Sequence, residues 1–185
     1  MSDPNAAIEF VLRQEDSTLS GVITNESGDA GGLTRFGLCA KWHPELVSAG
    51  FYDVTMDTAT ALPLAETAYQ TAYATPLRLA QINAQTVANA LLSFAVNLGT
   101  FEAVETLQQV CGAVADGCMG PNTVAAVNKQ DPATLLAAYC AIQANHYRGI
   151  VAANPTQAKF LQGWLNRVNA VAAQFKGQTE EQDAS

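Results

Sequence analysis

Basic residues are scarce in this chain. Nine Lys and Arg stand against seventeen Asp and Glu, a net charge of −8. A nucleic-acid binder presents a basic face to the phosphates, so that class is excluded, and no general attraction to any anionic polymer follows from the charge. Histidine is scarcer still, with only His43 and His146. The four cysteines, Cys39, Cys111, Cys118 and Cys140, match no zinc spacing. Cys39 and His43 are four residues apart and could share a helix face, but a zinc site needs at least three protein ligands, so no metal is expected. No run of about 18 apolar residues exists, so no membrane-spanning helix and no membrane insertion are expected. The N-terminus lacks a basic segment followed by an apolar one, so no secretory signal is visible. Charged residues make up 14% of the chain and hydrophobic ones 49%, the balance of a globular protein. A chain of 185 residues is one domain, or one domain with a small appended lobe, and can bury a real core.

The chemistry concentrates between Arg13 and Gly37, which reads RQEDSTLSGVITNESGDAGGLTRFG. Asp3-Pro4 is a helix start, an N-cap side chain followed by a residue that needs no N–H there. Ile8, Val11 and Leu12 then recur at helical spacing, and Glu15 continues the series. The periodicity puts Glu15 on the core-facing stripe, near the negative end of the helix dipole. Both settings disfavour the ionised form, as a general acid requires. The plain alternative is a solvated Glu at a frayed helix end. Downstream, Gly28 to Thr34 demands turns rather than helix. Leu19 to Thr24 carries β-branched residues and predicts one arm of a small hairpin, which would bring Asp29 and Thr34 over the end of the first helix. A second carboxylate with a neighbouring hydroxyl can hold and polarise a water. Carboxyls about 6.5–9.5 Å apart would leave room for it and give inversion.

The strings FVLRQE and GDAGGLTRFG resemble the N-terminal motif of the glycoside hydrolase family 108 muramidases, lysozyme-like endolysins of phages and their bacterial relatives. That pattern is a Glu, a Gly-rich acidic stretch, then D-x-G-G-x-T-x-x-G-I. The resemblance implies that Glu15 is the catalytic acid and that Asp29 and Thr34 complete a Glu/Asp/Thr triad. Two features depart from it. The usual Glu-Gly-Gly is Glu15-Asp16-Ser17, and the longer gap to Asp29 leaves Glu26 as a competing partner carboxylate. In Tyr69-x-x-x-Tyr73 the tryptophan that commonly follows is Ala74. Tyr69, Tyr73, Glu26 and Asn97, the last in Val96-Asn97-Leu98-Gly99, are the candidate substrate-binding residues. Asp116-Gly117-Cys118-Met119-Gly120-Pro121-Asn122-Thr123 resembles the D-G-x-x-G-P-x-T loop of peptidoglycan-binding helical modules, and Gly163-Trp164-Leu165-Asn166-Arg167-Val168 the family's terminal G-W-x-x-R-V.

Elsewhere the pattern is helical. Lys41 to Pro44 predicts a short helix interrupted near the proline. Trp42 in it is either a core residue or a sugar-stacking platform. Thr86 to Leu98, apolar nearly all round, predicts the central buried helix. Asp131-Pro132 and Asn154-Pro155 open two more helices, and Trp164 is expected to anchor the last in the core. Cys111 and Cys118 flank a tight turn and could pair in an oxidising compartment, reduced thiols being the alternative. The expected organisation is a catalytic lobe over residues 1–99, a helical lobe over 100–176 and a disordered acidic tail over 177–185.

The expected fold is mainly α, of α+β lysozyme-like type, a bundle around a central helix with a small β-hairpin near the active site. The expected activity is cleavage of the β-1,4 bond between N-acetylmuramic acid and N-acetylglucosamine in peptidoglycan glycan strands, by a monomer without cofactor. The resemblance implies synthesis in the host cytoplasm and action on the periplasmic wall after release, by a holin if phage-encoded. A lytic transglycosylase and a non-catalytic wall-binding or virion-structural protein are the alternatives.

Overall fold

The structure is a computed structural model that describes residues 1–25 and 32–182, with side chains up to Gln174. Glu26 and Asp29 lie outside the described residues. Among those described, the helices are α1 (Pro4–Glu15), α2 (Pro44–Ser48), α3 (Thr58–Tyr69), α4 (Gln85–Leu98), α5 (Thr100–Cys111), α6 (Pro121–Lys129), α7 (Pro132–Ala153) and α8 (Ala158–Gln182). One two-stranded sheet joins β1 (Thr34–Arg35) and β2 (Leu38–Cys39). The fold is therefore mainly α with a small antiparallel hairpin. None of these helices is long and apolar enough to cross a membrane.

Local chemistry sets most helix starts. Asp3, Asp57 and Asp131 accept from the backbone N–H of Asn5, Thr60 and Thr134 at 2.8–2.9 Å, and Pro4 and Pro132 open their helices without a wasted donor. The same rule corrects the reading at Lys41–Pro44. Pro44 does not interrupt a helix but begins α2, because the first turn has no use for the missing N–H. Trp42, in the loop before it, is 68% exposed, so the core assignment fails for that residue. The indole lies under the Lys41 ammonium at 4.7 Å instead.

α4 is the axis of the molecule. From Thr86 to Ala95 every residue is buried, and α1, α5, α7 and α8 all pack on this helix. One apolar cluster runs from Ala7 in α1 to Val171 in α8, so residues on both sides of position 100 share a core. Each large side chain buried there contributes about 1.5–3 kcal/mol. α8 does not stop where a disordered tail was expected, at Gly177, but continues to Gln182. Gly177 weakens a helix by about 1 kcal/mol, and the Lys, Gln and Glu around it are good helix formers.

The hairpin differs from the expected one. Leu19 to Gly21 is not a strand, since Leu19 and Gly21 both have positive φ. Only Thr24 pairs, through two 2.8 Å backbone bonds with Thr34. The true turn is Phe36-Gly37, with φ of +51° and +77°, the primed geometry that matches strand twist in a two-residue loop. Phe36 tolerates this because its ring is buried and its carbonyl accepts from the Tyr69 hydroxyl at 2.9 Å. The buried guanidinium of Arg35 donates to the carbonyls of Gly21, Phe51 and Met56 at 2.8–2.9 Å, tying the hairpin to the segments on either side.

The capping aspartates make stability depend on acid pH. Hydrogen bonds from the N–H and hydroxyl of Thr60 and of Thr134 hold Asp57 and Asp131 below the ordinary 3.8. At Asp16 burial opposes ionisation, but the N–H groups of Gly21 and Ser20 outweigh it and lower the value too. A folded-state value below the unfolded one means stability that is complete above the unfolded value and lost as pH falls through the folded one. The melting temperature is therefore expected to fall as the pH drops below about 4. Asp131→Asn, which keeps an N-cap acceptor but cannot titrate, should flatten the curve. Superimposable wild-type and variant curves would contradict this account.

Candidate active site

Glu15 is the last residue of α1. The helix ends because Asp16 turns extended after its N–H bonds the Leu12 carbonyl at 2.8 Å. The Asp16 carboxylate then organises the chain beyond. One oxygen accepts from the Thr18 hydroxyl at 3.0 Å, the other from the Ser20 hydroxyl at 2.9 Å and the Gly21 N–H at 2.7 Å. Asp16, which stands where the family motif has glycine, is thus a loop organiser beside the acid. The turn it makes is one wall of a cleft of about 420 Å³. Glu15, Asp16, Ser20, Val22, Thr24 and Thr34 are among the residues that line it.

The hairpin presses on the acid directly. A Cβ on Gly37 would lie 2.8 Å from Glu15 Cδ and 2.8 Å from the Tyr69 hydroxyl oxygen. Only a glycine fits, and the positive φ asks for one independently. Glu15 is left 18% exposed, sheltered but open to the cleft. On its other side comes a residue that the sequence reading did not place there. Arg167, from α8, donates through Nη2 to Glu15 Oε1 at 2.6 Å and is itself 13% exposed.

The structure brings Glu15 and Thr34 to one cleft. Tyr69, taken from the sequence as substrate-binding, is fully buried, so its ring offers no surface to a ligand. Its hydroxyl is spent on Phe36, and burial first, then the charge of Glu15, push its ionisation well above the ordinary range. Tyr73 is half-buried, 5.8 Å from the Tyr69 ring and 6.4 Å from the ring of buried His43. Its hydroxyl is likewise raised, by burial, then Cys39, then Glu15. Asn97 is exposed at the end of α4 and is not among the cleft-lining residues; its side-chain oxygen accepts from Tyr147 at 2.8 Å. Tyr147 stacks on Trp164 at 5.2 Å, and burial pushes its hydroxyl up to about 12. Tyr69 thus backs the site from within the core, and Asn97 is tied to Tyr147 instead. The missed residue had a signal. Trp164 and Arg167 are three apart on one helix, so the stacked tryptophan sets the rotation that turns the arginine toward Glu15.

Residues 8–99 match the family model described as Glycosyl hydrolase 108, and residues 102–169 match the one described as Predicted Peptidoglycan domain. The solved structure of SagA from Brucella abortus superposes with a TM-score of 0.71, over 91% of this chain and 90% of that one, at 27% identity. No curated protein matches the sequence.

Proposed function

We infer that this chain, which matches the Glycosyl hydrolase 108 model over residues 8–99 and the Predicted Peptidoglycan domain model over residues 102–169, is a peptidoglycan hydrolase that cuts the β-1,4 linkage between N-acetylmuramic acid and N-acetylglucosamine. The observation that carries this reading is a sheltered carboxyl, Glu15, opening onto a cleft that Thr34 also lines. Glycoside cleavage needs an acid to give its proton to the leaving oxygen as the anomeric bond breaks. Glu15 has the shelter and the access for that. In the inverting course, a second carboxylate takes a proton from the attacking water as its oxygen bonds the anomeric carbon. Asp29 is assigned that role with Thr34 as its hydroxyl partner, and Glu26 is the competitor.

The test is mass spectrometry of the soluble products from purified peptidoglycan. A hydrolase leaves reducing N-acetylmuramic ends that carry one added water. A lytic transglycosylase uses the same acid without water and leaves anhydro-muramic ends, so those products would refute hydrolysis. Binding to sacculi without any release would indicate a wall-binding protein that lacks turnover.

A further inference from the structure

Arg167 stands 152 residues from Glu15 in sequence and reaches it from the segment matched as a peptidoglycan domain. It is not among the residues that line the cleft, and its contact with the site is the bond to Glu15 Oε1. Three features hold it there. Trp164, one turn earlier, stacks on Tyr147 with the rings 19° from parallel. Val168 and Val171 are buried along the same helix. The other arm of the guanidinium, Nη1, points at Gln14 Oε1 at 3.5 Å, and the Ser93 hydroxyl fixes that oxygen at 2.5 Å. The arginine is therefore built in place between α1, α4 and α8 rather than resting on the surface.

We propose that Arg167 is a positioning residue for Glu15, so that the peptidoglycan-domain segment completes the hydrolytic site as well as binding wall. This rests on the reading of Glu15 as the acid. The chemistry is specific. A guanidinium N–H needs an acceptor, so Oε1 stays unprotonated while Arg167 holds it. The transferable proton is then carried on Oε2. Donation to the leaving oxygen moves that proton off Oε2 and leaves a carboxylate, for which the guanidinium is the counter-charge already in place. Arg167 thus selects which oxygen delivers the proton and holds the side chain in one rotamer while it does so.

The experiment uses the full chain with Arg167→Met, Arg167→Lys, Glu15→Gln and the Glu15→Gln/Arg167→Met double variant. Two readouts are taken, turnover of purified peptidoglycan and melting temperature. Arg167→Met is expected to lower kcat by about a hundredfold with KM changed less than about twofold, because a misplaced acid harms the transition state more than binding. Arg167→Lys, which keeps the charge and one donor, should recover part of kcat. The melting temperatures should be non-additive, the double variant melting no lower than the worse single one. Wild-type kcat in Arg167→Met, a loss confined to KM, or additive melting shifts would each overturn the proposal. If the wild-type protein itself releases no product, the hydrolase reading fails, and the melting cycle still decides whether the pair exists.

Discussion

Glu15→Gln is expected to lower release of reducing ends from purified peptidoglycan by about 10²–10⁴-fold, the range general acid catalysis supplies. The substitution exchanges one oxygen for an amide nitrogen and removes the only proton that the proposed mechanism can spend. The fold should tolerate it. Glutamine still offers Oε1 to Arg167, and the space under Gly37 is unchanged, since carboxyl and amide are nearly the same size. A largely exposed ion pair is worth about 1 kcal/mol or less; this one is more sheltered, so a drop of a few degrees in melting temperature is the upper expectation. Circular dichroism should be unaltered. Substantial residual hydrolysis by a folded Glu15→Gln protein would remove Glu15 from the role of acid.

Gly37→Ala should be nearly as damaging, for a different reason. One methyl group would have to occupy space within 2.8 Å of Glu15 Cδ and of the Tyr69 hydroxyl, in a backbone conformation that already disfavours a Cβ. Neither neighbour can yield easily. Tyr69 is fully buried and bonded to the Phe36 carbonyl, and Glu15 is held at Oε1 by Arg167. Either the hairpin lifts off α1 or the acid rotates away from its partner. Overpacking a closed site costs about 1–3 kcal/mol, and the left-handed backbone adds about 1 kcal/mol. The melting temperature should fall by about 4–16 °C for a chain of this size, and turnover by about a hundredfold in the protein that remains folded. Gly112→Ala is the control: it too has positive φ, but its Cβ would meet nothing within 4 Å among the described residues, so it should show the backbone cost without the loss of turnover. Equal turnover in Gly37→Ala and wild type would show that the hairpin does not position the acid.

The parts legible beforehand share a physical character. Asp3-Pro4 and Asp131-Pro132 start helices because capping is local, settled within four residues. The nearly all-apolar stretch from Val87 to Ala95, interrupted only by Asn89 and Ser93, was bound to be buried, since no other solvent suits it. Glu15 followed from the same periodicity. The core option for Trp42 and the Leu19–Thr24 arm failed because neither is decided locally. An indole before a proline can point either way, and a β-branched run becomes a strand only if a partner presents its edge. Among the described residues, β1 pairs with β2 and bridges to Thr24.

From its residues alone, then, this chain determined that it would be a helical protein with one acid at the end of its first helix, ahead of a glycine-rich turn. Only the tertiary structure decided what surrounds that acid. Gly37 and Tyr69 close over it and Arg167 arrives from the far end of the chain. The reason is range. Caps and periodicity act over one or two helical turns, whereas an ion pair spanning 152 residues exists only once α8 has packed against α4 and α7.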